Sequence, residues 1–123
     1  MSGVRIVSDT NPLIYLLDGD DLVARHLNQR ECWISVITEL EIFGKKNLSA
    51  AERKEVNLLP DSCFIVDLLP EIKGRVKNLQ QSTSLKLPDA IIAATALYLN
   101  LPLLTADKSF KQVNGLELIL LSF

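Results

Sequence analysis

The sequence is poor in the residue types that bind zinc and form disulfides. Among 123 residues there are one histidine, His26, and two cysteines, Cys32 and Cys63. The cysteines stand in apolar surroundings with neither CxxC spacing nor a histidine nearby, so we expect both to be buried, reduced thiols. His26 has polar neighbours and is expected at the surface without a role. Neither a disulfide framework nor a zinc site is therefore expected.

Long hydrophobic runs are also absent. No apolar stretch approaches the ~20 residues that a membrane-spanning helix requires. The first residues, Met1 to Arg5, lack the layout of a signal peptide. We therefore expect a cytoplasmic protein with no membrane partner.

The chain has no excess of positive charge. Its formal net charge is −2, so no basic field over the whole molecule indicates nucleic-acid binding. Contact with RNA would have to come from local basic patches, each of which is better explained as a solvated surface than as a binding surface. The candidates are Lys45-Lys46, Arg53-Lys54, the group Lys73, Arg75 and Lys77, and the pair Lys108 and Lys111.

The remaining composition is that of an ordinary globular protein, with 48% hydrophobic and 23% charged residues. A chain of this length buries a core without disulfides or structural metals. We find no internal repeat and no low-complexity segment. These features predict one domain over residues 1–123.

Strands and helices alternate along the chain. The strands are continuous apolar runs, which is typical of a parallel sheet covered by helices on both faces. We therefore predict an α/β fold of three layers with a central parallel sheet of about four to five strands. The predicted strands are Val4–Ser8, Cys32–Ser35, Cys63–Asp67, Leu101–Thr105 and Leu118–Leu121, and the predicted helices are Pro12–Leu17 with Asn11 as N-cap, Asp21–Asn28, Thr38–Gly44, Ser49–Asn57 with a Ser49–Glu52 capping box, Pro70–Gln81 and Pro88–Asn100, with a turn at Pro60-Asp61 and a linker at Ser82–Ser84.

One apolar helix carries an acid in its first turn. In the stretch Leu87–Leu97, Pro88 and Asp89 fit the opening of a helix. Four alanines behind them allow close packing, so the helix is expected to be buried. A mostly buried carboxylate needs a partner, and no Lys or Arg other than Lys86 is adjacent on that face. Taken alone, Asp89 is also explained by its interaction with the helix dipole.

Three further acids are expected at the same edge of the sheet. Asp9 ends the first strand, Asp107 follows the strand at Leu103-Leu104, and Glu41 lies one turn into the helix after the second strand. Each has an ordinary structural explanation, a turn for the two aspartates and a capping box with Thr38 for Glu41. However, the carboxyl ends of parallel strands are where ligands bind, and four acids meeting there by coincidence is less plausible.

Carboxylates gathered at one edge repel one another, and a hard cation relieves that repulsion. Mg²⁺ and Mn²⁺ prefer oxygen ligands. Such ions activate water and stabilise the charge that develops on a phosphodiester during displacement. The pattern therefore predicts metal-dependent phosphodiester hydrolysis.

Four motifs of the chain resemble the successive motifs of PIN domains, and small bacterial toxins of the VapC type are the most similar. The resemblance implies a PIN-like fold and a ribonuclease that uses Mg²⁺ or Mn²⁺, is inhibited by a cognate antitoxin and forms a homodimer. It further implies that Asp9, Glu41, Asp89 and Asp107 are the catalytic, metal-binding acids and that Asn11 and Thr105 are supporting polar residues. The motifs are Asp9-Thr10-Asn11, Ser35–Glu41, Leu87–Ala96 and Leu104–Asp107.

The chain departs from the family pattern in two places. Glu39 competes with Glu41 for the second acid, and we prefer Glu41 because it follows Thr38 by three residues. Ser109 stands where many relatives carry an aspartate, so the fourth acid is Asp107 alone. Two other functions remain open: an aspartyl-phosphate enzyme or receiver-like domain, with Lys108 as its basic residue, and a binding module that kept the fold without catalysis.

Overall fold

The computed structural model describes residues 5–19, 24–25, 27–28 and 30–122. In this part of the chain five strands form one sheet in the order β3-β2-β1-β4-β5, and every neighbouring pair is parallel. The predicted parallel α/β architecture is therefore confirmed. The strands are β1 (Arg5–Ser8), β2 (Glu31–Ser35), β3 (Phe64–Val66), β4 (Leu103–Thr105) and β5 (Leu118–Leu120).

Helices connect the strands and cover both faces of the sheet. Part of the predicted helix over Asp21–Asn28 lies outside the described residues. His26 and Val4 lie outside them as well. Ala24, Arg25 and Leu27 of that segment are helical. The helices bounded within the described residues are α1 (Thr10–Leu17), α2 (Val36–Phe43), α3 (Ala50–Asn57), α4 (Leu59–Ser62), α5 (Pro70–Ser82) and α6 (Leu87–Leu99), with a 3-10 helix at Lys108–Gln112.

The strand side chains alternate between two cores. Val7 and Leu103 point to the face covered by α5 and α6. On the opposite face, Ile34 packs with residues of α1, α2 and α3, and Ile6 packs beside it with Leu104. Because both faces are buried, the central residues of these strands are apolar on both sides, as with Ile6 and Val7 of β1, which is typical of a covered parallel sheet.

Helix α6 is the most deeply buried helix of the fold. Every residue from Ala90 to Ala96 is buried, and the four alanines in this run have no exposed surface. Small side chains let α5 approach closely. The helix ends at Asn100, whose left-handed φ of 54° turns the chain, and Leu101 N–H then donates to the carbonyl of Ala96.

The helix starts differ from the prediction in three places. Asn11 is not the N-cap of α1, because Asp9 accepts a hydrogen bond from Thr10 N–H and the helix begins at Thr10. Helix α2 begins at Val36 with Ser35 as its N-cap, so Thr38 is not a capping residue. Pro88 is the second helical residue of α6 rather than the first. In α1 and α2 the side chain of the N-cap residue accepts from a free N–H group of the first turn, whereas α6 begins after Lys86 without a side-chain cap.

Other local features are mixed. The capping box of Ser49 and Glu52 is present at the start of α3. Pro60 and Asp61 belong to the single-turn helix α4 rather than to a simple turn, and Ser82 is the last residue of α5 rather than part of a linker. The expectation for the cysteines is half right: both are free, but only Cys32 is buried, and Cys63 is half-buried.

Candidate functional site

The site lies where the order of the strands reverses. The chain moves outward from β1 to β2 and β3 on one side, and β4 and β5 lie on the other. The loops that follow β1 and β4 therefore leave a crevice at the carboxyl ends of these strands. Asp9 directly follows β1, and Thr105 is the last residue of β4.

Asp9 is a buried carboxylate held by two donors. Its residue is only 5% exposed. Thr105 Oγ1 donates to Oδ2 at 2.7 Å, and Thr10 N–H donates to Oδ1 at 2.8 Å. Burial raises the pKa of Asp9, the two hydrogen bonds lower it, and the charges of Asp107 and Glu41 raise it further, so the net pKa lies above its usual value.

Glu41 reaches the crevice from the opposite wall, on helix α2. Thr10 Oγ1 donates to Glu41 Oε1 at 2.6 Å and lies 3.1 Å from Thr38 Oγ1. These contacts tie α1 to α2 beside Asp9. Because Thr38 serves this contact and not a cap, the capping-box explanation of Glu41 is wrong.

Asp89 is half-buried in the first turn of α6. Burial raises its pKa to about 6, and the negative charges of Asp9, Asp107 and Glu41 add to the shift, which Lys86 partly opposes. The simple explanation of Asp89 by the helix dipole predicts a lowered pKa. The pKa is raised instead, so burial, together with the repulsion from the surrounding acids, outweighs the helix dipole.

Asp107 completes the acidic wall from the loop after β4. Its backbone N–H donates to Thr105 Oγ1 at 3.0 Å, and its side chain caps the 3-10 helix by accepting from Ser109 N–H at 2.8 Å. Thr105 thus connects two of the acids. The Asx turn expected at Asp107 is therefore present. In addition, the negative charge of Asp107 raises the pKa values of Asp9 and Asp89.

All four acids line this crevice, which is open and has a volume of about 400 Å³. Asn11, Thr10 and Lys45 share its wall, whereas neither Glu39 nor Lys108 contributes to it. Thr105 lies beneath the wall as the partner of Asp9. Sequence reasoning missed the positioning roles of Thr10 and Thr38 and treated Lys45 as a surface residue. Two features of the sequence could have indicated these roles: Thr10 stands inside the Asp9-Thr10-Asn11 motif, and Thr38 precedes Glu41 by three residues.

The oxygen ligands that line this crevice suit a hard cation. Four carboxylates supply oxygen ligands and an unbalanced negative charge, while Cys32 and Cys63 lie among residues of a separate core. Within the described residues, no three acidic, histidine or cysteine side chains are already gathered into a closed metal-binding cluster. An ion that keeps several of its own waters, as Mg²⁺ does, fits such an open arrangement.

Comparison with known families identifies the domain. The sequence pattern of the PIN domain matches residues 6–116. The chain belongs to the PIN-domain family. The resemblance inferred from the four motifs is therefore confirmed.

Solved structures share this PIN fold. The toxin–antitoxin complex from Klebsiella pneumoniae contains a chain that is 32% identical, with a TM-score of 0.78 and coverage of 90% of this chain and 94% of that one. VapBC-1 from nontypeable Haemophilus influenzae is 24% identical, with a TM-score of 0.76 and coverage of 94% and 97%. VapBC2 from Rickettsia felis, bound to a promoter DNA fragment, is 19% identical, with a TM-score of 0.78 and coverage of 96% and 99%. No curated protein matches the sequence significantly.

The described part of the PIN domain has no helix whose length and apolar character suffice to cross a bilayer. Its longest helices, α5 and α6, have 13 residues each. Such helices are about 20 Å long, which is shorter than the hydrocarbon layer.

Proposed function

We propose that this PIN domain is a metal-dependent ribonuclease and the toxin of a type II toxin–antitoxin pair. One observation carries the proposal: Asp9, Glu41, Asp89 and Asp107 line a single open crevice at the switch point of the sheet. Two of these acids have raised pKa values, which is typical of a functional site. The similarity to a toxin–antitoxin complex at 32% identity supports the toxin assignment.

Mg²⁺ or Mn²⁺ is the proposed cofactor, held by the four acids directly or through water. Such an ion supplies Lewis acidity, activates water and offsets negative charge on a phosphodiester. The chain itself supplies orientation. Thr105 fixes Asp9, and Thr10 fixes Glu41, so neither carboxylate has to be ordered when the ion binds. Asp89 needs to lose its proton before it can serve, since its pKa is raised to about 6.

RNA is the proposed substrate, and the crevice suits a phosphodiester better than a neutral ligand. It is open, so a polymer strand can pass across it. Asn11 offers amide hydrogen-bonding groups at its rim, and Lys45 offers a positive charge beside the acids. RNA cleavage would take place in the cytoplasm.

Two protein partners belong to the proposal. A cognate antitoxin would inhibit the enzyme, in line with the toxin–antitoxin complexes that share its fold. A second copy of the chain would form a homodimer, and large apolar residues on the surface offer area for such contacts. They include Leu40 at 60% and Leu87 at 53% exposure.

The direct test is cleavage of a fluorophore-quencher RNA in the presence of Mg²⁺, Mn²⁺ or EDTA. We expect cleavage with either ion, none with EDTA, and a steep loss in Asp9→Asn and Asp89→Asn. Asp67→Asn is the matched control, because Asp67 also follows a strand at this edge but does not line the crevice. Equal cleavage by Asp89→Asn and Asp67→Asn would remove the acidic crevice from the mechanism.

The toxin assignment has a separate test. Expression of the wild type in a bacterial host should arrest growth, and Asp89→Asn should not. RNA cleavage without growth arrest would leave a ribonuclease that is not a toxin. Binding of RNA without cleavage under any divalent ion would instead establish the non-catalytic binding module.

A further inference from the structure

Cys32 of β2 lies beside Cys63, the residue that directly precedes the neighbouring parallel strand β3. In the β2–β3 ladder Trp33 pairs with Phe64 and Ile34 pairs with Ile65. One step back in the same register, Cys32 faces Cys63. Side chains of residues opposite one another point to the same face of a sheet, and both cysteines belong to the core that α1, α2 and α3 cover.

The spacing of such a pair suits a disulfide. Neighbouring strands run about 4.8 Å apart, and disulfides join residues whose Cα atoms are about 4.4–6.8 Å apart. The two sulfur atoms lie within hydrogen-bonding reach of each other. Both thiols are free. A bond between the sulfur atoms therefore requires no movement of one strand along the other.

The two thiols differ in access. Cys32 is buried, whereas Cys63 is half-buried. Both contribute to the wall of an apolar groove of about 450 Å³, which Leu13, Val56 and Leu59 also line. A small oxidant that enters this groove meets Cys63 first. This asymmetry is that of a reactive cysteine with a resolving cysteine beside it.

We propose that Cys32 and Cys63 are an oxidisable dithiol, which a hydroperoxide converts into an intramolecular disulfide between β2 and β3. The Cys63 sulfur attacks the peroxide oxygen, the O–O bond breaks, and a sulfenic acid forms with release of water or an alcohol. The Cys32 thiol then attacks the Cys63 sulfur, and the hydroxyl group leaves as a second water after taking the thiol proton. Two electrons pass from the two sulfurs to the peroxide.

The order of the two steps follows from the hydrogen bond between the thiols. It lowers the pKa of Cys63, and together with burial it raises the pKa of Cys32. The thiolate is the nucleophile towards peroxide, so Cys63 reacts first. The groove with the two cysteines shares no lining residue with the acidic crevice, and the inference does not depend on the proposed nuclease activity.

The test is to treat the folded protein with hydrogen peroxide, denature it, alkylate it and measure its intact mass. We expect a monomer lighter by two hydrogen atoms with neither thiol alkylated, and full recovery of both thiols after dithiothreitol. In Cys32→Ser, Cys63 should stop at the sulfenic acid, which dimedone traps. In Cys63→Ser, Cys32 should stay unmodified.

Three outcomes would overturn the proposal, and the wild-type protein alone gives each of them. They are full alkylation of both thiols after peroxide, further oxidation to sulfinic acid without a disulfide, and disulfides only between chains. Circular dichroism of the treated protein before denaturation shows whether it was folded during the reaction. A disulfide that forms only after unfolding would also contradict the inference.

Discussion

Thr105 donates a 2.7 Å hydrogen bond to Asp9, and this contact joins residues 96 positions apart in the sequence. It links the ends of the adjacent strands β1 and β4, at the point where the strand order reverses. A carboxylate as buried as Asp9 keeps its charge only with donors nearby. The hydroxyl of Thr105 therefore helps to keep a charged carboxylate at this edge of the sheet.

The first prediction concerns this hydroxyl. Thr105→Val keeps the shape of the side chain but removes the donor to Asp9 and the acceptor for Asp107 N–H. We expect cleavage to fall about 10- to 100-fold, as for other partners that orient a metal ligand. We also expect the pKa of Asp9 to rise, so the acid limb of the pH–rate profile should move to higher pH.

Stability adds a second measurement to that prediction. The lost hydrogen bond to a charged group costs about 2 kcal/mol. This hydrogen bond favours the ionised carboxylate. The loss of unfolding free energy in Thr105→Val should therefore be largest above the pKa of Asp9 and should shrink as the pH falls through that pKa. Urea denaturation at several pH values measures this. Thr105→Ser should restore activity, and Thr95→Val, which loses only a bond to Ile91 C=O, should leave the pH profile unchanged. An unshifted profile in Thr105→Val would contradict the role.

The second prediction is that Asp89 destabilises the metal-free fold. Its pKa is raised from 3.8 to about 6, so the folded state binds more protons than the unfolded state between these values. Stability therefore falls as the pH rises through this window and stays reduced above it. Asp89→Asn should be more stable than the wild type at pH 7.5 by about 1 kcal/mol, after allowance for solvent screening of a half-buried group.

Thermal unfolding in EDTA measures this gain, which corresponds to a rise of about 4 °C in Tm. At about pH 3, below both pKa values, the two proteins should unfold at similar temperatures, because Asp89 is then mostly protonated in both states. Asp67→Asn, at an exposed position, should show no comparable gain. Lower stability of Asp89→Asn at neutral pH would mean that burial and the neighbouring acids do not destabilise the ionised form of Asp89.

The sequence predicts the sheet well because its signals are strong and local. Adjacent apolar, β-branched residues such as Ile6 and Val7 suit a strand that is buried on both faces, and the position of Asp9 shortly after them places it at the carboxyl end of that strand. The strand order, however, depends on long-range pairing. Only the fold brings β4 beside β1 and so brings Thr105 to Asp9.

The errors at helix starts have one physical cause. Several nearby residues can cap the same helix, and their side chains compete. Asn11 and Thr38 have the chemistry of N-caps, but Asp9 and Ser35 hold those positions. Asp9 thereby combines a cap with a site carboxylate. The 3-10 helix at Lys108–Gln112 gave no periodic signal because it is too short to carry one.

The third prediction decides which glutamate is the second acid. Glu41 lines the crevice and accepts from Thr10, whereas Glu39 does not line it. Glu41→Gln should lower cleavage by at least about 100-fold, the upper end for groups that act only through a ligand. Glu39→Gln makes the same chemical change two residues away and should leave the rate within about twofold, as for surface groups with no role. A larger loss in Glu39→Gln would reverse the assignment and imply a different register of α2.

The last prediction concerns how a negatively charged crevice accepts RNA, and it depends on the proposed substrate. Lys45 is half-buried and lines the crevice beside the acids, while Lys46 is exposed and does not. Binding of single-stranded RNA to the Asp89→Asn protein is measured by fluorescence anisotropy at several salt concentrations. Adding Lys45→Met should weaken binding and reduce the slope of log K against log[salt] by about 0.7, the value for one phosphate contact to a single strand. Lys46→Met removes the same charge and should change both quantities less. Equal effects of the two substitutions would mean that Lys45 acts only through the net charge of the surface, and that phosphate binding lies elsewhere.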